Sequence, residues 1–157
     1  MVYPVSLGCA KNRVDTEIML ALLEAAGWQV TSDPGEADLL LVNTCGFIAS
    51  ACQEAVDTIL ELAAVKQARH ERRLVVAGCL VQRYQHELPA LLPEVNLFVG
   101  VNDFPQLPAL LEAGNVSGSA QLACRQPWLT YQELYPRRLT TPFYTAYVKV
   151  AEGCSHR

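Results

Sequence analysis

The chain has 157 residues, 51% of them hydrophobic, enough for one compact domain around a single core. Twelve Lys and Arg stand against sixteen Asp and Glu, and the net charge of −4 argues against direct nucleic-acid binding, which draws its affinity from basic side chains. No apolar run approaches the roughly 18 residues of a membrane-spanning helix, and Met-Val-Tyr-Pro lacks the basic flank and apolar core of a signal peptide, so a cytoplasmic protein with no membrane partner is expected.

Val2 to Leu7 reads as a short strand that ends at Gly8-Cys9. Asp15 to Ala26 reads as a helix, with Val14, Ile18, Ala21, Leu22 and Ala25 at steps of three and four. Gly27 stands where a left-handed C-terminal cap belongs. Trp28 to Thr31 reads as a second strand, closed by Asp33-Pro34-Gly35. Ala37 to Thr44 contains the continuous apolar run Leu39-Leu40-Leu41-Val42, the pattern of a strand covered on both faces in a parallel sheet. Ser50 with Gln53 matches a capping box. The helix behind it shows Val56, Ile59, Leu60 and Ala63 on one face and runs to about Arg69. The cluster Arg69, Arg72 and Arg73 reads as cations complementing the end of that helix.

Leu74 to Ala77 is a further strand, ending at Gly78-Cys79. A short helix is expected from about Gln82 to Leu92, then a strand from Leu97 to Gly100. A last helix, capped by Asp103 and with Pro105 early in it, runs through Ala113. The alternation implies a mostly parallel, doubly wound α/β sheet with flanking helices over residues 1–113. From Gly114 to Pro142 no periodicity lasts, and residues 114–142 read as a linker, partly ordered by Trp128 and Tyr131. Phe143 to Val150 is strand-like again, and residues 143–157 read as the start of a further domain, cut through by the end of the chain.

Six cysteines stand at 9, 45, 52, 79, 124 and 154. None forms a C-x-x-C knuckle, so a zinc ribbon is not indicated, and a reducing cytosol disfavours a disulfide framework. Cys9, Cys45 and Cys79 share a context: each follows an apolar strand, and each has a glycine beside it, Gly8, Gly46 or Gly78. In a parallel sheet all carboxyl ends lie on one edge, the edge where open α/β sheets bind ligands. Three cysteines far apart in sequence are therefore expected within reach of one point, and the glycines let backbone approach a bulky inorganic group. Three thiolates suit a 4Fe–4S cluster with one iron left open, because an ordinary cluster takes four cysteines. The alternatives are a zinc site with one open position and three buried core thiols. Cys52, one turn into its helix, reads as a packing residue, and Cys124 has no motif. His70, His86 and His156 are isolated and read as surface or packing residues. Asn12, Asn43 and Thr44 lie near the same edge and read as capping and turn residues. No G-x-G-x-x-G, P-loop, nucleophile elbow or H-E-x-x-H is present.

Ser6-Leu7-Gly8-Cys9-Ala10-Lys11-Asn12-Arg13-Val14-Asp15-Thr16-Glu17 resembles the first signature of the radical S-adenosylmethionine methylthiotransferases. Asn43-Thr44-Cys45-Gly46-Phe47-Ile48 resembles the second and Val76-Ala77-Gly78-Cys79-Leu80 the third. Val150-Ala151-Glu152-Gly153-Cys154 resembles the start of the radical motif C-x-x-x-C-x-x-C, of which only the first cysteine is present. Lys11-Asn12 and Gly46-Phe47-Ile48 are most similar to the branch acting on a small-subunit ribosomal protein. The branch acting on transfer RNA usually shows Gln-Met-Asn after its first cysteine.

The resemblance implies replacement of a C–H bond by C–S–CH3, in this branch at the β-carbon of an aspartate. It implies two 4Fe–4S clusters in the intact enzyme, with S-adenosylmethionine as source of the radical and of the methyl group. Cys9, Cys45 and Cys79 would hold the N-terminal cluster, and Cys154 would be the first ligand of the radical cluster. Residues 143–157 would open a truncated radical domain. An electron donor such as a flavodoxin or ferredoxin is implied as a partner. An unactivated C–H bond offers no acidic proton to a side-chain base, so the hard step belongs to a cofactor. The chain by itself, with one expected cluster, is expected to be inactive. Modification of transfer RNA and a non-enzymatic cluster- or metal-binding module are the competing readings.

Overall fold

The structure is a computed structural model that describes residues 1–113, 120–124 and 135–151. Five strands, β1 (Val2–Ser6), β2 (Leu39–Thr44), β3 (Arg73–Gly78), β4 (Leu97–Val99) and β5 (Gln121–Ala123), form one sheet in the order β1-β2-β3-β4-β5. Every pairing is parallel, with Val5 opposite Val42, Val42 opposite Val76, and Val76 opposite Phe98. Helices α1 (Ala10–Ala25), α2 (Ala49–Gln67), α3 (Cys79–Tyr84), α4 (Leu88–Leu91) and α5 (Leu107–Ala113) cover it. This is the expected doubly wound α/β arrangement.

The continuous apolar run in β2 has the expected cause. Leu40 and Val42 face one side with Leu74, Val76 and Phe98, where Ala55, Ile59 and Leu62 of α2 and Leu80, Val81 and Leu88 of α3 and α4 pack. Leu39 and Leu41 face the other side with Val75, Ala77 and Val99, beneath Met19, Leu20 and Leu23 of α1 and Leu107 and Leu111 of α5. All six residues of β2 are buried. Successive side chains of a strand point to opposite faces, so both faces need cover.

Several expectations are corrected. α1 begins at Ala10, five residues before the expected start at Asp15, with Cys9 in the N-cap position and Arg13 N bonded to Cys9 O at 3.2 Å. Trp28 to Thr31 is not a strand; it contributes only a parallel bridge between Val30 and Val2 on the outer side of β1. The Ser50–Gln53 capping box does not form, because Ser50 is already inside α2 and Gln53 bonds Asp57 instead. Leu60 points to solvent, and Ala55 takes its place on the buried face. The single helix expected from Gln82 to Leu92 is two short ones, the first starting at Cys79 itself. Asp103 leads into a 3-10 turn (Phe104–Gln106) ahead of α5 and makes no side-chain cap. The stretch expected as a linker supplies β5, tied by Gln121 N to Asn96 O at 2.9 Å and by Gly100 N to Ala123 O at 2.7 Å. Among the described residues Phe143 to Val150 pairs with no strand, and it is mostly exposed. Trp128, Tyr131, Cys154 and His156 lie outside the described residues.

The arginine cluster divides. Arg72 is buried and donates to the carbonyls of Gly35, Ala37 and Val65, so it ties the end of α2 to the loop before β2. Arg69 pairs with Asp38, and Arg73 donates to Leu111 O.

Gly27 takes φ +90°, and a Cβ there would meet nothing within 4 Å. Gly27→Ala is therefore expected to cost only the left-handed backbone strain, about 1–2 kcal/mol. Leu41→Ala, at the sheet centre, is expected to cost about 2–5 kcal/mol. Urea denaturation of both variants checks the order.

Candidate functional site

At the carboxyl edge, the chain leaving β1 enters α1 on one face, and the chain leaving β2 and β3 enters α2 and α3 on the other. Divergence of adjacent connections at the carboxyl edge marks the usual ligand position of open α/β sheets. Cys9, Cys45 and Cys79 sit in these three connections.

The connections press closely on one another, and the glycines make that possible. A Cβ on Gly8, which takes φ +86°, would lie 2.5 Å from Cys45 Cβ and 3.3 Å from Cys45 Sγ. A Cβ on Gly46 would lie 2.8 Å from Leu80 Cα and 3.0 Å from the Cys79 carbonyl carbon. A Cβ on Gly78, at φ +102°, would lie 2.5 Å from Thr44 O and closer still to Asn43 Oδ1. Each cysteine loop thus depends on a glycine pressed against a neighbouring loop.

Asn12, on the first turns of α1, joins the three. Its Nδ2 donates to Leu7 O at 3.1 Å and to Thr44 O at 2.9 Å. Two donations by one amide nitrogen fix its orientation, which turns Oδ1 toward the thiols. Cys9 Sγ lies 3.7 Å and Cys79 Sγ 3.9 Å from that oxygen. Asn43 backs the arrangement by donating to Asn12 O at 2.7 Å and Thr16 Oγ1 at 3.0 Å. Thr44 Oγ1 donates to Ala77 O at 2.6 Å, linking β2 to β3. Asn12, Asn43 and Thr44 were read as capping and turn residues; all three are buried braces between strand ends. The available signal was their polarity directly beside apolar strands.

Cys9 is exposed, and Cys45 and Cys79 are half-buried, so the edge is open to solvent on the Cys9 side. Arg83, four residues after Cys79, donates to Gly46 O at 2.8 Å and closes the Cys45 loop onto α3. Beside it Phe47 and Ile48 are exposed. Among the described residues, no three His, Cys, Asp or Glu side chains are gathered closely enough to hold a single metal ion. Cys52 packs against the core as expected.

Cys124 proves to follow a strand too, β5, at the same edge, which sequence reasoning missed with that strand. It packs on Gly100, where a Cβ would lie 2.9 Å from its Sγ. Burial pushes its thiol up, and the Asp103 carboxylate pushes it further. The whole of β4 separates it from β3.

A family model described as uncharacterized protein family UPF0004 matches residues 1–100, which include all three cysteine loops and their glycines. The chain belongs to that family. It is 49% identical over 156 residues to a protein of Heliobacterium modesticaldum named ribosomal protein uS12 methylthiotransferase RimO, covering 99% of this chain and 34% of that protein. Proteins of the same name from Syntrophus aciditrophicus and Geotalea uraniireducens are 48% and 47% identical, over 99% and 97% of this chain and 35% and 34% of theirs. The chain spans about a third of the length of these curated relatives. The likeness to them extends past the family model into the residues that follow it.

Gly78→Ala introduces both a left-handed strain and a backbone collision, so it is expected to cost about 2–5 kcal/mol, more than Gly27→Ala. Thermal unfolding of the two variants measures the difference. Equal costs would mean that the Gly78 contact yields freely.

Proposed function

We propose that this chain is the iron–sulfur-binding N-terminal part of a methylthiotransferase that adds a methylthio group to the β-carbon of an aspartate in a small-subunit ribosomal protein. The observation that carries the reading is near-complete coverage of this chain by relatives named for that activity on uS12. Cys9, Cys45 and Cys79 are the proposed holders of the 4Fe–4S cluster, and Cys154 is the proposed first ligand of a second one. S-adenosylmethionine is the co-substrate, and a flavodoxin or ferredoxin the class of electron donor. The cytoplasm, where ribosomes work, is the proposed location.

The residues fit the group. Thiolates are the donors that iron–sulfur clusters take. A single zinc ion draws its sulfurs to about 2.3 Å from one centre, whereas a cluster offers each thiolate its own iron and tolerates wider spacing. The three thiols stand in three separate strand-end connections, and among the described residues no three ligands gather around one point, which suits the second case. The glycines add no side chains of their own where the loops meet.

When bound, the clusters supply radical and sulfur chemistry that no side chain provides. The chain's own residues perform the holding. Asn12 keeps the Cys9 and Cys45 loops in register through its bonds to Leu7 O and Thr44 O, and its Oδ1 faces the Cys79 thiol. The exposed Phe47 and Ile48 border the open edge, where an apolar surface excludes water from a docked substrate.

Anaerobic reconstitution with iron and sulfide tests the site. About four irons are expected in the wild type and in the Cys52→Ala control, and loss in Cys9→Ala, Cys45→Ala and Cys79→Ala. Equal loss in the control would return these cysteines to core packing. Mass spectrometry of uS12 and of transfer RNA from a strain lacking the gene tests the substrate. The thiomethyl group should vanish from the ribosomal protein; its loss from a nucleoside alone would transfer the activity to the RNA branch.

A further inference from the structure

Four consecutive-turn polar residues of α1 are buried: Asn12, Asp15, Thr16 and Glu17. Asn12 and Thr16 face the cysteine edge. Asp15 and Glu17 do not, and their burial has a different cause. The segment 135–151 lies across α1. Arg137 pairs with Glu17 at 2.5 Å, and Thr140 donates to the other Glu17 oxygen through N at 2.8 Å and Oγ1 at 2.9 Å. Arg138 N donates to Glu17 O at 3.0 Å, and its guanidinium pairs with Glu24, about two turns further along the same face. Lys149 pairs with Asp15 at 2.6 Å, both side chains almost wholly covered. Arg137 also donates to Tyr147 O, closing the segment into a strap. Burial opposes the charge on Glu17, but the bonds from Arg137 and Thr140 outweigh it and hold the carboxyl below the usual carboxylate range.

Asp15 and Glu17 belong to the first cysteine signature, and Lys149 stands directly before the last one. Cluster holding leaves all three unexplained. We infer that Asp15 and Glu17 are positioning residues that clasp the 135–151 strap to α1 and thereby tie the chain leading to Cys154 to the helix that starts at Cys9. This deepens the proposed function, on which its purpose rests. The geometry gives the coupling a path. Thr16, between the two carboxylates, donates to Asn12 O and stands 3.0 Å from Ser6 Oγ and Asn43 Nδ2, so a shift of α1 reaches Asn12 and the thiols it faces. Buried ion pairs add little net stability over apolar packing, but they set register, because a misplaced partner leaves a buried charge alone. The exposed Phe143, Tyr144, Val148 and Val150 ride on this strap, facing away from its ionic side.

Hydrogen exchange by mass spectrometry on the whole chain tests the clasp without iron. Glu17→Gln and Lys149→Glu are expected to speed exchange in the strap by about tenfold or more while β3 stays protected. Asp15→Lys combined with Lys149→Glu restores the pair with its charges swapped and should restore protection. Alkylation of Cys9, read by peptide mass, should change at least about threefold when the strap is released, because Asn12 moves with α1. Strap exchange at the wild-type rate in Glu17→Gln, or no rescue by the swap, overturns the clasp. Released strap with unchanged Cys9 alkylation overturns its link to the thiol edge. If Glu17→Gln fails to fold, the Lys149 single and swapped pair decide alone. None of these readouts needs a cluster, so the clasp and the iron-binding proposal fail separately.

Discussion

Adjacent strands of a parallel sheet stand about 4.8 Å apart, so the connections leaving them begin close together and have little room for side chains between them. At β1, β2 and β3 the loops use that closeness fully. Gly8 rests on Cys45, Gly46 on the Cys79–Leu80 backbone, and Gly78 on Asn43 and Thr44. Two of the three glycines take positive φ, where a side chain would be strained even without a neighbour. Close packing of these glycine-bearing loops brings the connections that carry the three cysteines together, and the rest of the site is built on it. Bringing loops so close buries their carbonyls, and buried carbonyls need donors. Asn12 meets that need for Leu7 and Thr44 and, by doing so, turns its oxygen to Cys9 and Cys79.

α1 therefore carries three tasks on one helix. Val14, Met19, Leu20 and Leu23 bury against the sheet, Asn12 and Thr16 serve the edge, and Asp15 and Glu17 grip the strap. A helix that only covered a sheet would leave the last two in water. Their burial means that α1 is held from both sides, by the core below and by ion pairs above. A helix so held is a rigid link between the edge and whatever the strap carries.

Much of this was legible in the sequence. The unbroken apolar run of β2 signalled a parallel sheet, and the repeated strand-glycine-cysteine context placed three thiols on one edge. The start of α1 was not legible, because Ala10-Lys11-Asn12-Arg13 faces the edge and shows no apolar period. Trp28 to Thr31 and Phe143 to Val150 have strand composition, yet the first bonds β1 only around Val2 and the second pairs with no strand among the described residues; composition does not report how far a pairing extends. β5 was missed for the converse reason: three residues are too few for any period, and its pairing comes from Asn96 and Gly100. The strap was invisible because Glu17 and Arg137 are 120 residues apart and neither pattern nor propensity links them.

Cys124 shows how far the strand-end rule reaches and where it stops. It obeys the rule, following β5 at the same edge, with Gly100 against it. What it lacks is adjacency. β4 ends in Val99 and Gly100 with no cysteine, so the row of thiols breaks there. The Cys124 thiol is also driven toward its protonated form by burial and by Asp103, while metal and cluster ligation need the thiolate. A strand-end cysteine thus becomes a candidate ligand only where neighbouring strands present cysteines too. By that criterion Cys9, Cys45 and Cys79 form a set of three, and Cys124 is a packing residue. On the proposed reading a set of three is one short of the four cysteines that close a cluster, which would leave a coordination position for something other than the protein.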